Sequence, residues 1–278
     1  MRVFLLTALT MVAFAANSVL NRMAIVDGGM DAVLFAVLRL LAGAVILAGI
    51  LLWQKKAFEL KADLRPAGVL SLLVYIFGFS VAYIVLPSGV GALLLFGMVQ
   101  ITMFMAAVIE KDVIPAKRWF GTGLAFLGLC WMLWPQPDAE TPLMAMGAML
   151  IAGLGWGVYS LVGRSTADPV KATALNFILA APIGLVLLFL LPADLNAYSA
   201  QGVALAVLSG AVTSGLGYAL WYSVVPDLGA TRAAVAQLSV PVIATIGGAV
   251  LLSEAVTLQL LVATVLVLGG VTLAIWRK

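Results

Sequence analysis

Ionisable side chains are scarce in this chain. Only 10% of its 278 residues are charged and 64% are hydrophobic, whereas a typical soluble domain has about 25% charged residues. The stretches 3–21, 81–109 and 202–225 contain almost nothing ionisable, and a membrane-spanning helix needs about 20 such residues. A soluble fold of this length has too little interior for so much apolar surface. The sequence therefore predicts an integral membrane protein that lies in a lipid bilayer.

Histidine is absent and cysteine occurs once. Cys130 alone cannot form an internal disulfide, and its expected role is packing. The chain also lacks a catalytic constellation, a phosphate-binding loop and any metal-ligand spacing. We therefore expect neither an enzyme nor a cofactor or metal site.

Polar residues, prolines and glycines divide the chain into ten predicted spans, which gives an all-α fold. They cover 3–23, 31–53, 66–86, 89–109, 117–135, 142–163, 170–191, 202–225, 229–252 and 257–276. If both termini are cytoplasmic, every Lys and Arg lies inside except Arg22, which is outside, and Arg39, which is within span 2. This positive-inside bias predicts an inner-membrane protein with that orientation. It accounts for the net charge of +3 without a nucleic-acid partner.

Two decapeptides are nearly the same: GFSVAYIVLP at 78–87 and GYALWYSVVP at 217–226. FAANSVLNR at 14–22 likewise aligns with WGVYSLVGR at 156–164, and GTGLAFLG at 121–128 aligns with ATVLVLGG at 263–270. A near-constant offset of about 140 residues predicts two homologous halves, 1–136 and 141–278.

Each half has five spans, an odd number, so the second half crosses the bilayer in the opposite sense. Inverted repeats of this kind are typical of secondary transporters.

The first span contains an Ala-x-Ala pattern at 13–15 that resembles a signal-peptide cleavage site. Because this span has a partner in the second half, we expect an uncleaved helix.

The two inverted halves, Arg39 in RLLAGAVIL, and PVIATIGGAVLLSE from Pro241 to Glu254, followed by a helix with a GG pair, resemble the drug/metabolite transporter superfamily, EamA type. Within it the chain is most similar to the aromatic amino-acid exporter group. The resemblance implies that spans 1–4 and 6–9 surround a cavity, with spans 5 and 10 at the periphery. The first half departs from the second because Val99 aligns with Pro241, and Asp112 aligns with Glu254.

Aromatic residues recur at helical spacing in three predicted spans. They are Tyr75, Phe79 and Tyr83 on span 3, Trp156 and Tyr159 on span 6, and Tyr218, Trp221 and Tyr222 on span 8. A spacing of three or four residues places each group on one helix face. Deep Tyr and Trp side chains carry a polar atom that favours the bundle interior. Plain helix packing also explains such stripes, but the equivalence of spans 3 and 8 favours a substrate cavity.

Polar side chains within the spans add further candidates. We expect Asn17 and Gln100 to face the cavity, because the resemblance places their helices along its lining; helix–helix hydrogen bonding is the alternative. Pro241 removes a backbone hydrogen bond and exposes the Gln237 carbonyl, which predicts either a hinge or a static kink. Arg39 lies roughly 12 Å from the outer end of span 2. It snorkels outward, pairs with a backbone carbonyl or meets a substrate carboxylate.

The predicted function is a secondary transporter, an exporter or facilitator, that works by alternating access. A neutral, aromatic-rich cavity favours amphipathic small-molecule solutes such as aromatic or large neutral amino acids. Export of other drugs or metabolites is one alternative, and a non-transporting membrane receptor or scaffold subunit is another. All twelve acidic residues lie in predicted loops or at span ends, whereas a proton-coupled carrier normally has an ionisable group in its pathway. We therefore expect facilitated transport, with no obligate protein partner.

Overall fold

The computed structural model describes residues 2–55, 65–111, 114–134, 142–164 and 168–275, without the side chains at 164, 169, 222, 225, 226, 229–235 and 275. In these ranges all regular secondary structure is helical, as predicted, and we number ten helices. They are α1 (Arg2–Arg22), α2 (Ala32–Trp53), α3 (Pro66–Ala82), α4 (Ser88–Ile109), α5 (Ala116–Leu133), α6 (Leu143–Arg164), α7 (Pro169–Leu190), α8 (three joined segments, Ala200–Leu208, Ser209–Leu216 and Gly217–Gln237), α9 (Ser239–Leu251) and α10 (Leu258–Ile275).

Six helical stretches in the described ranges are long and apolar enough to cross a bilayer. They are Arg2–Asp27, Ala32–Trp53, Ser88–Ile109, Leu143–Gly163, Val170–Leu190 and Ala200–Trp221. The apolar helices α3, α9 and α10 are shorter. Over its described residues the chain is thus all-helical, with enough long apolar helices for a multi-pass membrane protein.

Two segments in the described part of the chain are π-helical, meaning that their backbone hydrogen bonds join residues five apart, one more than in an α-helix. Met23–Asp27 continues α1 by a single turn, and Ser209–Leu216 forms the middle of α8. Segments of this kind are rare and often lie at functional sites. We call Ser209–Leu216 the π segment.

Several helices begin at residues whose side chains satisfy free backbone N–H groups. The Asp31 carboxylate accepts hydrogen bonds from the N–H groups of Val33 and Leu34, at 2.8 and 2.9 Å, and so caps α2. The Ser199 hydroxyl accepts from the Gly202 N–H at 2.9 Å and caps α8. These polar residues set the helix starts close to the predicted positions.

Two helix ends differ from the predicted spans. Span 3 was expected to reach residue 86, but α3 ends at Ala82, and Pro87 disfavours helix in the residue before it. Span 9 was expected to begin near 229, but helix continues to Gln237 and breaks at Leu238. Pro241 has no N–H to bond the Gln237 carbonyl, which explains a break at this point.

Helices α5 and α10 make their most extensive contacts with each other, at the margin of the bundle. Their backbones touch where Gly121 meets Gly270, so a side chain at either position would collide with the other helix. The remaining helices pack as the pairs α3–α6, α2–α7, α4–α6 and α4–α9, with α1 against α8 and α9. The interior that these helices enclose contains the candidate site.

Candidate functional site

Nine aromatic side chains in the described part of the chain form one connected group inside the bundle, which we call the ring cluster. It contains seven of the predicted site residues: Tyr75, Phe79, Tyr83, Trp156, Tyr159, Tyr218 and Trp221. Phe14 of α1 and Phe177 of α7 complete it. All nine side chains are buried.

Trp156 is the centre of the ring cluster. Its ring centroid lies 4.9 Å from those of Tyr75 and Tyr218, 5.4 Å from that of Tyr159 and 6.1 Å from that of Phe14. Tyr159 stacks on it with an interplanar angle of 21°. These separations are within the 4.5–7 Å range of favourable ring pairs. Trp156 thereby connects α6 to α1, α3 and α8.

The stripe predicted on span 3 is present. The ring centroids of Tyr75 and Phe79 are 5.4 Å apart, and those of Phe79 and Tyr83 are 4.7 Å apart. The four-residue spacing therefore brings the three rings into contact along one face, with interplanar angles of 60° and 85°. Tyr83 itself lies just beyond the end of α3.

Arg39 lies against this stripe and is completely buried. Its guanidinium carbon lies 5.2 Å from the ring centroid of Tyr75 and 5.0 Å from that of Phe79. Cation–π contacts at these distances offset part of the cost of burying a charge. Among the described residues, no Asp or Glu forms an ion pair with Arg39. Of the three roles left open by the sequence, snorkelling to the surface is excluded.

The guanidinium nitrogens of Arg39 are partly satisfied. Nε donates to the Ser214 hydroxyl at 3.0 Å, and Nη2 donates to the Tyr75 hydroxyl at 2.9 Å. Nη1 is buried without a hydrogen-bond acceptor in the described part of the protein, and so is the indole Nε1 of Trp156. Since buried polar groups are nearly always paired, both donors require an explanation.

Asn17 binds the π segment. Its side-chain oxygen accepts hydrogen bonds from the hydroxyls of Ser209 at 2.8 Å, of Thr213, and of Ser214 at 3.4 Å. Because Ser214 also accepts from Arg39, a polar chain runs from Asn17 to Arg39 and Tyr75. The Tyr218 hydroxyl extends this polar chain, because it donates a long hydrogen bond of 3.5 Å to the Tyr75 hydroxyl. Asn17 is therefore linked to the ring cluster through Arg39.

Small residues allow α2 and the π segment to approach closely. A β-carbon on Gly210 would collide with the Arg39 carbonyl oxygen and lie 2.8 Å from Ala42 Cβ. A β-carbon on Gly43 would lie 3.2 Å from the carbonyl oxygen of Gly210, and it would also collide with the Phe177 ring of α7. Glycines at these positions therefore fix the distance between Arg39 and its partner Ser214.

A second polar group, the Glu254 network, lies at the end of the bundle where α3 ends and α4 begins. Glu254 accepts from the Ser88 N–H at 2.8 Å and from the Ser88 hydroxyl at 3.3 Å. Its carboxylate also lies 3.5 Å from Nε of Arg22. Arg22 in turn donates to the carbonyls of Tyr83 and Ile84, at 3.0 and 2.8 Å. These contacts tie α1, α3, α4 and the segment after α9 together.

The remaining predicted residues are less well connected. Gln100 is half-buried on α4, and no hydrogen bond in the described ranges joins it to the ring cluster. The side chain of Tyr222 lies outside the described residues, as does Asp112. Pro241 is buried near the start of α9, beside the break at Leu238.

Sequence reasoning missed Phe14, Phe177 and the hydroxyls of the π segment. Phe14 could have been predicted, because it aligns with Trp156 in the internal repeat. No comparable signal marked Phe177. The run SGAVTSG at 209–215 is rich in small and hydroxyl side chains, a composition that permits close helix packing and interhelical hydrogen bonds.

The chain resembles proteins in several organisms. The sequence profile of the EamA-like transporter family matches residues 143–276. The uncharacterized protein PA1977 of Pseudomonas aeruginosa is 44% identical over 273 residues, 98% of this chain and 94% of that protein. The uncharacterized transporter YoaV of Bacillus subtilis is 25% identical, over 86% of this chain and 85% of its own length. An uncharacterized transporter of Archaeoglobus fulgidus is 22% identical, over 76% of each chain.

A solved crystal structure shares the fold. It superposes with a TM-score of 0.67 over 95% of this chain and 97% of that chain, at 17% identity. The profile match and the two relatives named as transporters agree with the helical, membrane-spanning architecture. The chain belongs to the EamA-like transporter family, in the drug/metabolite transporter superfamily, and is a membrane transporter of small solutes.

Proposed function

We propose that the protein moves aromatic or large neutral amino acids across the inner membrane by alternating access, and that the ring cluster is its substrate site. The observation that carries this proposal is the position of Trp156. Its ring contacts Phe14 and Tyr75 from the first half of the chain, and Tyr159 and Tyr218 from the second. Aromatic walls favour apolar, planar solutes, which stack on such rings.

The proposal includes two inverted halves, 1–136 and 141–278. The contact of α5 with α10 supports them, because it is reciprocal. A β-carbon on Gly128 would lie 3.0 Å from the backbone nitrogen of Val267, and one on Gly270 would lie 2.6 Å from that of Ala125. The repeat aligns Gly128 with Gly270 and Ala125 with Val267, so the two contacts are equivalent. A two-fold relation between halves produces such self-complementary contacts.

Alternating access requires a closed end and a moving element. In the proposed orientation, with both termini cytoplasmic, the Glu254 network closes the outer end through the contacts of Arg22, Ser88 and Glu254. The break at Leu238 before Pro241 is the proposed hinge, since it interrupts the helix between α8 and α9. Asn17 and Gln100 are proposed to line the pathway, and Tyr222 to extend the ring cluster.

Facilitated movement down the solute gradient is the proposed energetics. The Arg39 site contains no carboxylate among the described residues, and a proton-coupled carrier normally has a titratable group in its pathway. Proteoliposomes with no pH gradient should therefore take up tryptophan. Movement that occurs only under an imposed proton gradient would refute this part of the proposal.

Uptake of labelled tryptophan by purified protein in liposomes tests the function. We expect saturable uptake, and we expect Trp156→Ala to lower kcat/KM at least tenfold, because one ring pair contributes about 0.5–1.5 kcal/mol and Trp156 makes several. Trp53→Ala is the matched control: Trp53 is 84% exposed at the end of α2, and its loss should leave uptake unchanged.

The alternatives give different results. Uptake of other amphipathic metabolites, with none of any aromatic or large neutral amino acid, would favour an exporter of drugs or metabolites. Binding of solute without any flux would favour a receptor or scaffold subunit.

A further inference from the structure

We propose that Arg39 and Trp156 bind the carboxylate of the substrate, so that the site selects aromatic carboxylates, including zwitterionic amino acids, and rejects aromatic amines. This inference rests on the proposed function, because it concerns the same ring cluster. It adds the chemical group that the site recognises and the two atoms that recognise it, Nη1 of Arg39 and Nε1 of Trp156.

The first argument is charge. Arg39 is completely buried in α2, and an uncompensated charge inside a membrane protein is costly. No acidic residue in the described ranges pairs with it. Its neighbours supply only hydroxyls and ring faces. A ligand that brings a negative charge would compensate the charge of the guanidinium, whereas the guanidinium would repel a cationic ligand.

The second argument is the hydrogen-bond inventory. Arginine carries only donors, and so does the indole nitrogen. Both orphan atoms, Nη1 of Arg39 and Nε1 of Trp156, are therefore donors, and only an acceptor satisfies them. Both side chains also lie against the ring of Tyr75, with distances of 5.2 Å from the Arg39 guanidinium carbon and 4.9 Å from the Trp156 ring centroid. A carboxylate has two oxygens that accept hydrogen bonds, which suits two donors on neighbouring side chains.

The third argument is that the guanidinium is held in place. Nε is fixed by Ser214 and Nη2 by Tyr75. Ser214 is in turn held by Asn17, and Gly210 keeps the π segment against α2. A donor whose side chain is already ordered costs less conformational entropy when a ligand binds. The aromatic part of the ligand then lies among the rings that adjoin Tyr75 and Trp156.

Calorimetric titration of the purified wild-type protein with three indoles tests the inference directly. Indolepropionic acid carries only a carboxylate, tryptamine carries only an ammonium group, and skatole carries neither. We expect indolepropionic acid to bind at least tenfold more tightly than the other two. Tryptamine binding as tightly as indolepropionic acid, or no binding of any of the three, would overturn the inference.

Variants assign the preference to the two residues. Arg39→Gln should abolish the preference for indolepropionic acid, and Arg39→Lys should retain it at reduced affinity, because a lysine keeps the charge without the planar fork. Trp156→Phe keeps a ring and removes one donor. It should therefore weaken the binding of indolepropionic acid several-fold and that of skatole only a little. Arg118→Gln is the control. The guanidinium carbon of Arg118 lies 5.7 Å from the ring centroid of Phe104, but Arg118 belongs to α5 and is not part of the ring cluster.

The outcomes separate the two proposals. If the carboxylate preference is present but tryptophan is not transported, the proposed function fails and the carboxylate site stands. If tryptophan is transported but the three indoles bind equally, the carboxylate site fails and the proposed function stands. An Arg39→Gln protein that folds and keeps the tenfold preference would also overturn the assignment. If the Arg39→Gln variant does not fold, the titrations of the wild-type protein and of Trp156→Phe still test the carboxylate site.

Discussion

Arg39 and Tyr75 are joined by two contacts of different kinds. The Tyr75 hydroxyl accepts a hydrogen bond of 2.9 Å from Nη2 of Arg39, and the guanidinium carbon lies 5.2 Å from the centroid of the Tyr75 ring. One tyrosine therefore connects the polar chain that begins at Asn17 to the aromatic rings that surround Trp156. This pair joins α2 to α3 in the interior of a transporter that has few charges elsewhere.

Tyr75→Phe should destabilise the protein by about 1–3 kcal/mol, because it leaves a second guanidinium nitrogen buried without an acceptor. The ring and its contacts remain, so the loss measures the hydroxyl alone. Unfolding in detergent micelles gives the free energy. Tyr198→Phe is the control, since Tyr198 is 62% exposed and should lose almost nothing. Equal stability of the two variants would contradict the assigned role of Tyr75.

Gly210→Ala should destabilise the protein by about 1–3 kcal/mol, because the added methyl group forces the π segment away from α2. The new β-carbon would meet the Arg39 carbonyl and Ala42. Gly49→Ala places the same methyl group on α2 where nothing lies within 4 Å, and it should be neutral or slightly stabilising. Thermal unfolding of both variants distinguishes a packing requirement from a general intolerance of alanine.

Asn17→Ala should cost about 1–3 kcal/mol, because the hydroxyls of Ser209, Thr213 and Ser214 lose their shared acceptor. Transport should also fall, since Ser214 no longer holds Arg39 in place. Asn196→Ala removes the same amide from an exposed position and serves as the control. An Asn17→Ala protein with normal stability and normal uptake would show that the π segment is held by packing alone.

Glu254→Gln should loosen the proposed outer end at a stability cost of about 1 kcal/mol, because the amide keeps a hydrogen bond to Ser88 but loses the charge that faces Arg22. A cysteine in place of Ser18, which is buried one turn before Arg22, reports the opening in a Cys130→Ala background.

A membrane-impermeant maleimide applied from outside should label this cysteine faster in Glu254→Gln. Asp194→Asn is the control, because Asp194 is exposed and its carboxylate accepts a hydrogen bond from the Asn196 N–H at 2.9 Å. The backbone N–H of Asp194, which the substitution keeps, donates to the Asp31 carboxylate at 3.2 Å. Labelling that is unchanged by Glu254→Gln would argue against closure by the Glu254 network.

The sequence predicted the ring cluster better than the polar chain. Tyr75, Phe79 and Tyr83 are four residues apart, so the helical period alone places them on one face. The contacts of Tyr75 with Trp156 and Tyr218 required only that the aromatic faces of α3, α6 and α8 meet inside the bundle. Phe177 was not predicted, because a single phenylalanine on an apolar helix carries no signal of the face it occupies.

The partners of Arg39 were beyond the reach of the sequence. The position of Arg39 in span 2 indicated its depth, but Ser214 and Tyr75 are on other helices, and only tertiary packing decides which of them it meets. The π segment could not be predicted either, since its hydrogen-bond pattern has no residue signature comparable to a cap or a proline. The break at Leu238 was partly predictable, because Pro241 determines which carbonyl loses its partner.

Counterflow measures the central claim most directly, because it requires one site that opens alternately to both sides. Proteoliposomes loaded with unlabelled tryptophan, diluted into labelled tryptophan without a pH gradient, should accumulate label transiently above its equilibrium level. Indolepropionic acid in the outer solution should suppress this accumulation more strongly than tryptamine. Label uptake no greater than in protein-free vesicles would contradict transport of aromatic amino acids through the ring cluster.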